Sequence, residues 1–292
     1  MDWLETIIIA IVEGLTEFLP VSSTGHMIIT QNLLGVVPKD PHSQEAAFLN
    51  AFTFIIQFGA ILSVVVLYWK QFFRFNYTPA PEGSSMFQKL KHKYNFYWLL
   101  FLGLLPAVVI GLLAKKSGLL DWMLGSVEVV AVTLVIGGIF MLFCDRIFNK
   151  GSEDTKLTEN RAFLIGLYQC ISVIPGVSRS MATIVGGMTQ KLTRKRAAEF
   201  SFFLAVPTMA GATVLDLFDL LKDYGTSWAT PQNIITLLLG CVVAFIVALL
   251  AMKWFVAFLT KYGFKAFGIY RIIVGGIIIV LLLTGHSLAM VD

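Results

Sequence analysis

Glu13-Gly14-Leu15-Thr16-Glu17-Phe18-Leu19-Pro20-Val21-Ser22-Ser23-Thr24-Gly25-His26 sets two carboxylates, a run of hydroxyls and an imidazole between the apolar runs Ile7-Ile8-Ile9-Ala10-Ile11-Val12 and Met27-Ile28-Ile29. Glu13 and Glu17 are four positions apart, so a helix carries both on one face. Pro20 closes that helix, because it has no N–H to donate and its ring clashes with the preceding turn. A polar run between such flanks has no use on a soluble surface. It reads as an intramembrane feature, and the rest of the chain supports that setting.

Of the 292 residues, 57% are hydrophobic and only 14% are charged, against about a quarter charged in soluble domains. The chain is therefore read as an integral membrane protein, with membrane lipids around it and no nucleic-acid partner. Asp2 and Glu5 precede the first apolar run and no basic stretch leads it, so no cleaved signal peptide is expected. Cys144, Cys170 and Cys241 are isolated and odd in number, which argues against a disulfide framework and a metal cluster and reads them as small apolar packing residues.

Six apolar segments approach the roughly 20 residues that a membrane-crossing helix needs: about 48–69, 96–114, 127–147, 199–221, 233–255 and 267–286. Two further apolar regions are broken. Region 3–37 is interrupted by Glu13, Glu17, Pro20 and Ser22-Ser23-Thr24, and region 162–190 by Pro175 and Gly176-Val177-Ser178-Arg179-Ser180. Each half is too short to span and long enough to reach the middle and return, so both are expected to be re-entrant helix pairs.

Charge sets the expected topology. Loops 70–95, 145–162, 190–199 and 253–271 hold seventeen Lys and Arg, against Lys39, Lys115, Lys116 and Lys222 on the other side. That asymmetry places the first group in the cytoplasm. It leaves Arg179, in the second broken region, as the one basic residue with no aqueous loop. The order of one broken region and three spans then occurs twice, over about 3–147 and 162–286. Leu19-Pro20-Val21-Ser22-Ser23-Thr24 matches Ile174-Pro175-Gly176-Val177-Ser178-Arg179, and Ala51-Phe52-Thr53-Phe54 matches Glu199-Phe200-Ser201-Phe202. Three spans per unit force the second copy in from the opposite side, giving an inverted-topology repeat whose site forms where the broken helices meet. The expected fold is an all-α polytopic membrane protein, one integral membrane domain over 1–292, with six transmembrane helices, two re-entrant pairs and a flexible cytoplasmic loop at 70–95.

Glu13, Glu17 and Arg179 each need a partner inside a membrane, where an unpaired charge costs at least about 2.5 kcal/mol. One shared polar pocket meets the demand of all three. The carboxylates suit a hard divalent cation, and the guanidinium fork suits phosphate oxygens. Ser22–Gly25 and Gly176–Ser180 can present backbone N–H groups at helix starts, which favour anions. Such a pocket suits phosphoryl chemistry. Plainer roles compete: Ser22, Ser23 and Thr24 also suit helix capping, and Lys89-Leu90-Lys91-His92-Lys93 needs no role beyond topology and contact with lipid headgroups. His26, three residues past Ser23, is one helical turn from it.

Glu13–His26 (EGLTEFLPVSSTGH), Pro175–Ser180 (PGVSRS) and the following Ala197–Phe202 and Leu204–Pro207 are similar to the undecaprenyl-diphosphatase family, the bacitracin-resistance phosphatases. The resemblance covers essentially the whole chain, and its clearest departure is the length of loop 70–95. It implies hydrolysis of undecaprenyl diphosphate to undecaprenyl phosphate and inorganic phosphate with a divalent cation, Mg²⁺ or Ca²⁺. The implied site opens on the outer side of a bacterial plasma membrane, and the reaction recycles the lipid carrier of cell-wall synthesis. The family's acidic motif falls on Glu13 and Glu17 as metal ligands. Its hydroxyl-histidine motif falls on Ser22, Ser23, Thr24 and His26, and its second turn on Gly176, Ser178, Arg179 and Ser180 as phosphate-binding groups. On this mapping Ser23 attacks the terminal phosphorus with His26 as acid/base and Arg179 stabilising charge; in a variant, water attacks with help from the metal and Ser23 only binds. The chain acts alone or as a homodimer. Two other classes share features: the phosphatidic-acid type of phosphatase, which needs a second catalytic histidine where this chain offers only His42, His92 and His286 in loops or at a span end, and a lipid or ion-coupled transporter or flippase with the same inverted-repeat architecture.

Overall fold

A computed structural model describes residues 1–38, 40, 42–73, 75–117, 123, 126–285 and 288. Lys39, Arg74 and His286, and the side chain of Lys115, lie outside the described residues. The described chain is helical and contains no strand. In order it forms α1 (Trp3–Thr16), α2 (Ser23–Leu34), α3 (Gln44–Leu67), α4 (Trp69–Phe72), α5 (Met86–Lys93), α6 (Asn95–Lys116), α7 (Val127–Phe148), α8 (Glu159–Gln169), a 3₁₀ turn (Cys170–Val173), α9 (Arg179–Thr189), α10 (Arg194–Tyr224), α11 (Pro231–Tyr262) and α12 (Lys265–Leu283).

Six helices, α3, α6, α7, α10, α11 and α12, are long and apolar enough to cross a membrane, and they contain the six expected spans nearly whole. α10 and α11 overrun the expectation: 31 and 32 residues make rods of about 47 Å at 1.5 Å per residue. The surplus of α10 carries its polar ends, Arg194-Lys195-Arg196 and Lys222-Asp223. α1, α2, α8 and α9 have 14, 12, 11 and 11 residues, too few to cross a core of about 30 Å. α1 packs on α2 and α8 on α9, and α9 is buried along nearly its whole length.

Lipid tails are as apolar as the side chains facing them, so close packing and hydrogen bonds must hold the spans together. α7 and α12 show how. A Cβ on Gly138 would stand 2.7 Å from the Gly268 carbonyl oxygen, and one on Gly268 would stand 2.7 Å from that of Gly138. Only hydrogens there let the two backbones touch. At the centre, Phe18 meets Phe202 edge-on at 5.5 Å and Phe202 meets Phe255 at 6.1 Å, all three fully buried. At the Lys- and Arg-rich end, Asp145 of α7 accepts from Arg194 Nε at 2.8 Å and from the Phe264 N–H at 2.6 Å, tying α7, α10 and the α11–α12 turn together.

Asp2 and Glu5 form a capping box at the start of α1. Segment 70–95 contains α5, opened by a Ser85–Gln88 capping box. Lys91 of α5 pairs with Glu159 and lies over the Trp98 ring at 5.7 Å, so α5 is attached to the starts of α6 and α8.

Candidate active site

Each broken region turns in the same way. Ile174 is extended before Pro175, as the clash of a residue with a following proline ring requires. Past each proline comes a serine with positive φ: Ser22 at 69° and Ser178 at 37°, a region that costs a side-chain-bearing residue roughly 1–3 kcal/mol. Each serine is the N-cap of the next helix, so Ser23 begins α2 and Arg179 begins α9. The sequence match is thereby corrected by one position. Ser22 corresponds to Ser178 and Ser23 to Arg179, because Gly176 adds a residue to the second turn. That residue must be glycine: its φ is 86° and a Cβ would collide with Thr133 Oγ1.

Ser23 and Arg179 meet on one carboxylate. Glu17, the C-cap of α1, accepts from Ser23 Oγ on Oε2 at 2.7 Å and from Arg179 Nη2 on Oε1 at 3.2 Å. The ion pair is nearly enclosed, with the Arg179 side chain 12% and the Glu17 side chain 8% exposed. Arg179 Nη1 reaches the Ser201 carbonyl at 3.3 Å, and the guanidinium lies 5.8 Å from the Phe18 ring centre. One turn below Glu17, Glu13 is fully buried beside it. Neither Glu13 oxygen has a hydrogen-bond partner, nor does Arg179 Nε. Such groups are costly to bury unmatched, and here a spare acceptor pair and a spare donor flank the same bridge. The donor set therefore fits a hard cation: two buried carboxyl groups against each other, Glu13 with no donor but Glu17, and a serine hydroxyl at the edge.

The other expected residues are placed differently. Ser180 Oγ donates to the Leu19 carbonyl at 2.8 Å, Ser178 Oγ reaches the same oxygen at 3.4 Å, and the two hydroxyls are 3.0 Å apart. Ser178 also caps the Met181 N–H. These hydroxyls tie the second turn to the first. Ser22 is buried, and Thr24 is half-buried at the second position of α2. His26 does not hydrogen-bond to Ser23. Its Nδ1 lies 2.7 Å from the Ser22 carbonyl oxygen and its Nε2 2.7 Å from Tyr270 Oη, with the two rings stacked at 5.4 Å. A carbonyl only accepts, so Nδ1 carries the hydrogen, and in the neutral ring Nε2 accepts from Tyr270 Oη.

The count that placed Arg271 in loop 253–271 is overturned. α12 begins at Lys265, so Arg271 is nearly two turns inside it and 0% exposed. Its guanidinium donates to the carbonyls of Pro20 (3.3 Å), Gly176 (2.8 Å), Thr133 (3.1 Å) and Leu134 (3.4 Å). Nothing local marks it: it stands where an apolar span meets a basic loop, and all four acceptors are distant in sequence. The neighbouring Tyr270 was missed for the same reason.

Fold and site together define a polytopic helical membrane protein that gathers buried acids, a guanidinium and a serine hydroxyl between the starts of two short helices. The chain belongs to the family described as bacitracin resistance protein BacA, whose model matches residues 6–277. It is similar to proteins named undecaprenyl-diphosphatase. That of Porphyromonas gingivalis is 55% identical over 291 residues, covering 99% of this chain and 100% of the relative. That of Bdellovibrio bacteriovorus is 47% identical over 295 residues, covering 100% of each, and that of Aquifex aeolicus is 40% identical over 277, covering 94% and 96%.

Proposed function

We propose that this protein hydrolyses undecaprenyl diphosphate to undecaprenyl phosphate and inorganic phosphate, the activity for which its relatives are named. The observation that carries the site assignment is the Glu17 bridge between Ser23 and Arg179, flanked by the buried Glu13 carboxyl group and the unpartnered Arg179 Nε. Ser23 Oγ attacks the terminal phosphorus while the bond from that phosphorus to the bridging oxygen breaks, releasing undecaprenyl phosphate. The hydroxyl proton passes to Glu17, its acceptor at 2.7 Å, so the base expected in His26 is supplied by Glu17 instead. Arg179 directs its free Nε–H and its fork at the phosphoryl oxygens. The starts of α2 and α9 add N–H groups from the turns Ser22–Thr24 and Gly176–Ser180. Water then cleaves the phosphoserine and frees inorganic phosphate. Glu13 and Glu17 would hold Mg²⁺ or Ca²⁺, which neutralises diphosphate charge when bound. His26, held through Ser22, fixes the turn that aims Ser23.

The same reading makes α1–α2 and α8–α9 re-entrant and the two halves inverted copies, supported by the matching positive-φ serines. It turns the site toward the outer face of the membrane, opposite the Lys- and Arg-rich loops, where it regenerates the cell-wall lipid carrier and confers bacitracin resistance.

The deciding measurement is phosphate release from the C55 lipid diphosphate by purified protein in detergent, with and without EDTA. A phosphatase releases phosphate and regains activity when Mg²⁺ or Ca²⁺ is restored, whereas a transporter of the same architecture releases none. A phosphoserine trapped at Ser23 supports the covalent route, and full turnover by Ser23→Ala sinks it.

A further inference from the structure

Arg271 is the largest fully buried side chain of the described molecule. Burying a guanidinium inside a membrane protein is expensive unless its charge and donors are matched. Among the described residues its hydrogen bonds go only to carbonyls and to no carboxylate. Those carbonyls are not scattered. Pro20 O belongs to the turn that aims Ser23, Gly176 O to the turn that aims Arg179, and Thr133 O and Leu134 O to one turn of α7. The surroundings are cut to fit. A Cβ on Gly137 would stand 2.5 Å from Arg271 Nη2, and Thr133 Oγ1 donates to Pro175 O at 2.6 Å, beside the Gly176 contact.

We infer that Arg271 is a positioning residue of the phosphatase site, joining the two turns through one guanidinium and so fixing the distance between Ser23 and Arg179 across Glu17. Five N–H donors in a rigid plane hold carbonyls from three chain segments through Nε, Nη1 and Nη2; an ammonium gathers its three donors on one nitrogen and cannot span the same separation. The inference rests on the site reading above. A misplacement of about 1 Å between reacting groups can cost on the order of 100-fold in rate, which sets the size of the expected effect.

The test compares Arg271→Lys, Arg271→Met and Gly137→Ala with the parent as full-length protein in detergent, measuring kcat and KM on the lipid diphosphate together with Tm. Arg271→Lys is expected to fold with a Tm near the parent, lose about 30- to 100-fold in kcat and change KM far less, while Arg271→Met loses more. A purely structural role would instead make loss of kcat follow loss of Tm. Arg271→Lys with kcat within about threefold of the parent overturns the inference. If neither Arg271 variant folds, Gly137→Ala decides, because its methyl displaces Nη2 while leaving the charge: reduced kcat with KM near the parent supports the inference, and parental kcat overturns it. Ser23→Ala and Arg179→Met run beside them. If both stay fully active, the site reading itself has failed; if both are inactive while Arg271→Lys is normal, only the positioning role falls.

Discussion

The turn at Ser22 and the turn at Ser178 share a backbone and divide the chemistry. Both follow a proline, both cap a short helix with a serine at positive φ, and both aim the first residue of that helix at Glu17. In the first turn that residue is Ser23, with the acids of α1 behind it. In the second it is Arg179, and the serines on either side bond back to the Leu19 carbonyl of the first turn. One device is used twice, once to present a serine hydroxyl and once to present a guanidinium, and Glu17 bonds to both.

If that division is right, Glu17 is where the largest effect lies. Glu17→Gln removes the proton acceptor for Ser23 and turns an amide N–H₂ toward either the serine or Arg179. A loss of about 10²–10⁴ in kcat is expected, measured on the C55 lipid diphosphate with folding followed in parallel. Near-parental kcat would mean that the two turns do not work through Glu17. Arg179→Lys comes next. It keeps the charge but loses the planar fork and the spare Nε–H, and loss of an oxyanion donor costs about 10²–10³ in kcat. An Arg179→Lys enzyme as fast as the parent would reduce the second turn to a scaffold. A smaller, metal-specific effect separates Glu13 from Glu17. Glu13→Gln should raise the Mg²⁺ or Ca²⁺ concentration needed for half-maximal activity by about tenfold or more, the scale on which weakened metal sites respond, and most of the activity should return at saturating metal. An unchanged metal requirement would take Glu13 out of the cation site.

What could be read in advance follows from where the physical signal lies. The six spans were legible because length and apolar content alone define them. Glu13, Glu17 and Arg179 stood out because charge inside an apolar run needs a reason. The pairing of Glu17 with Arg179 was inferable as a demand for partners, though the bond from Ser23 to the same carboxylate was not. Periodicity put His26 one turn from Ser23, yet the ring turns to Ser22 O and Tyr270, since rotamer choice is settled by tertiary neighbours that spacing cannot show. Arg271 was hidden because a buried arginine one helix start away from a basic loop has the same sequence signature as a topology determinant. α5 was a different kind of miss: Ser85-Met86-Phe87-Gln88 is a capping-box signature in plain view, masked by the prolines and glycine before it.

The smallest expected effect tests whether the two serine caps are as alike as their backbones. Ser22 holds φ 69° and its side chain makes no capping bond, so a glycine there relieves strain at no lost contact of that kind. Ser22→Gly should stabilise the protein by about 0.5–1 kcal/mol. Ser178 holds φ 37°, but its hydroxyl caps the Met181 N–H and contacts Ser180 and Leu19 O. Ser178→Gly gains the same relief but loses a cap, worth only a few tenths of a kcal/mol against glycine, together with the hydroxyl contacts to Ser180 and Leu19 O, worth about 0.5–1.5 kcal/mol each, so its net change should be near zero or negative. Thermal melts in detergent resolve the sign. A rise for Ser22→Gly with none for Ser178→Gly fixes the asymmetry in the side chains: the first serine is there for the bend alone, the second also holds the turns together. Equal shifts would make the two caps interchangeable and would move the whole difference between the turns onto Ser23 and Arg179.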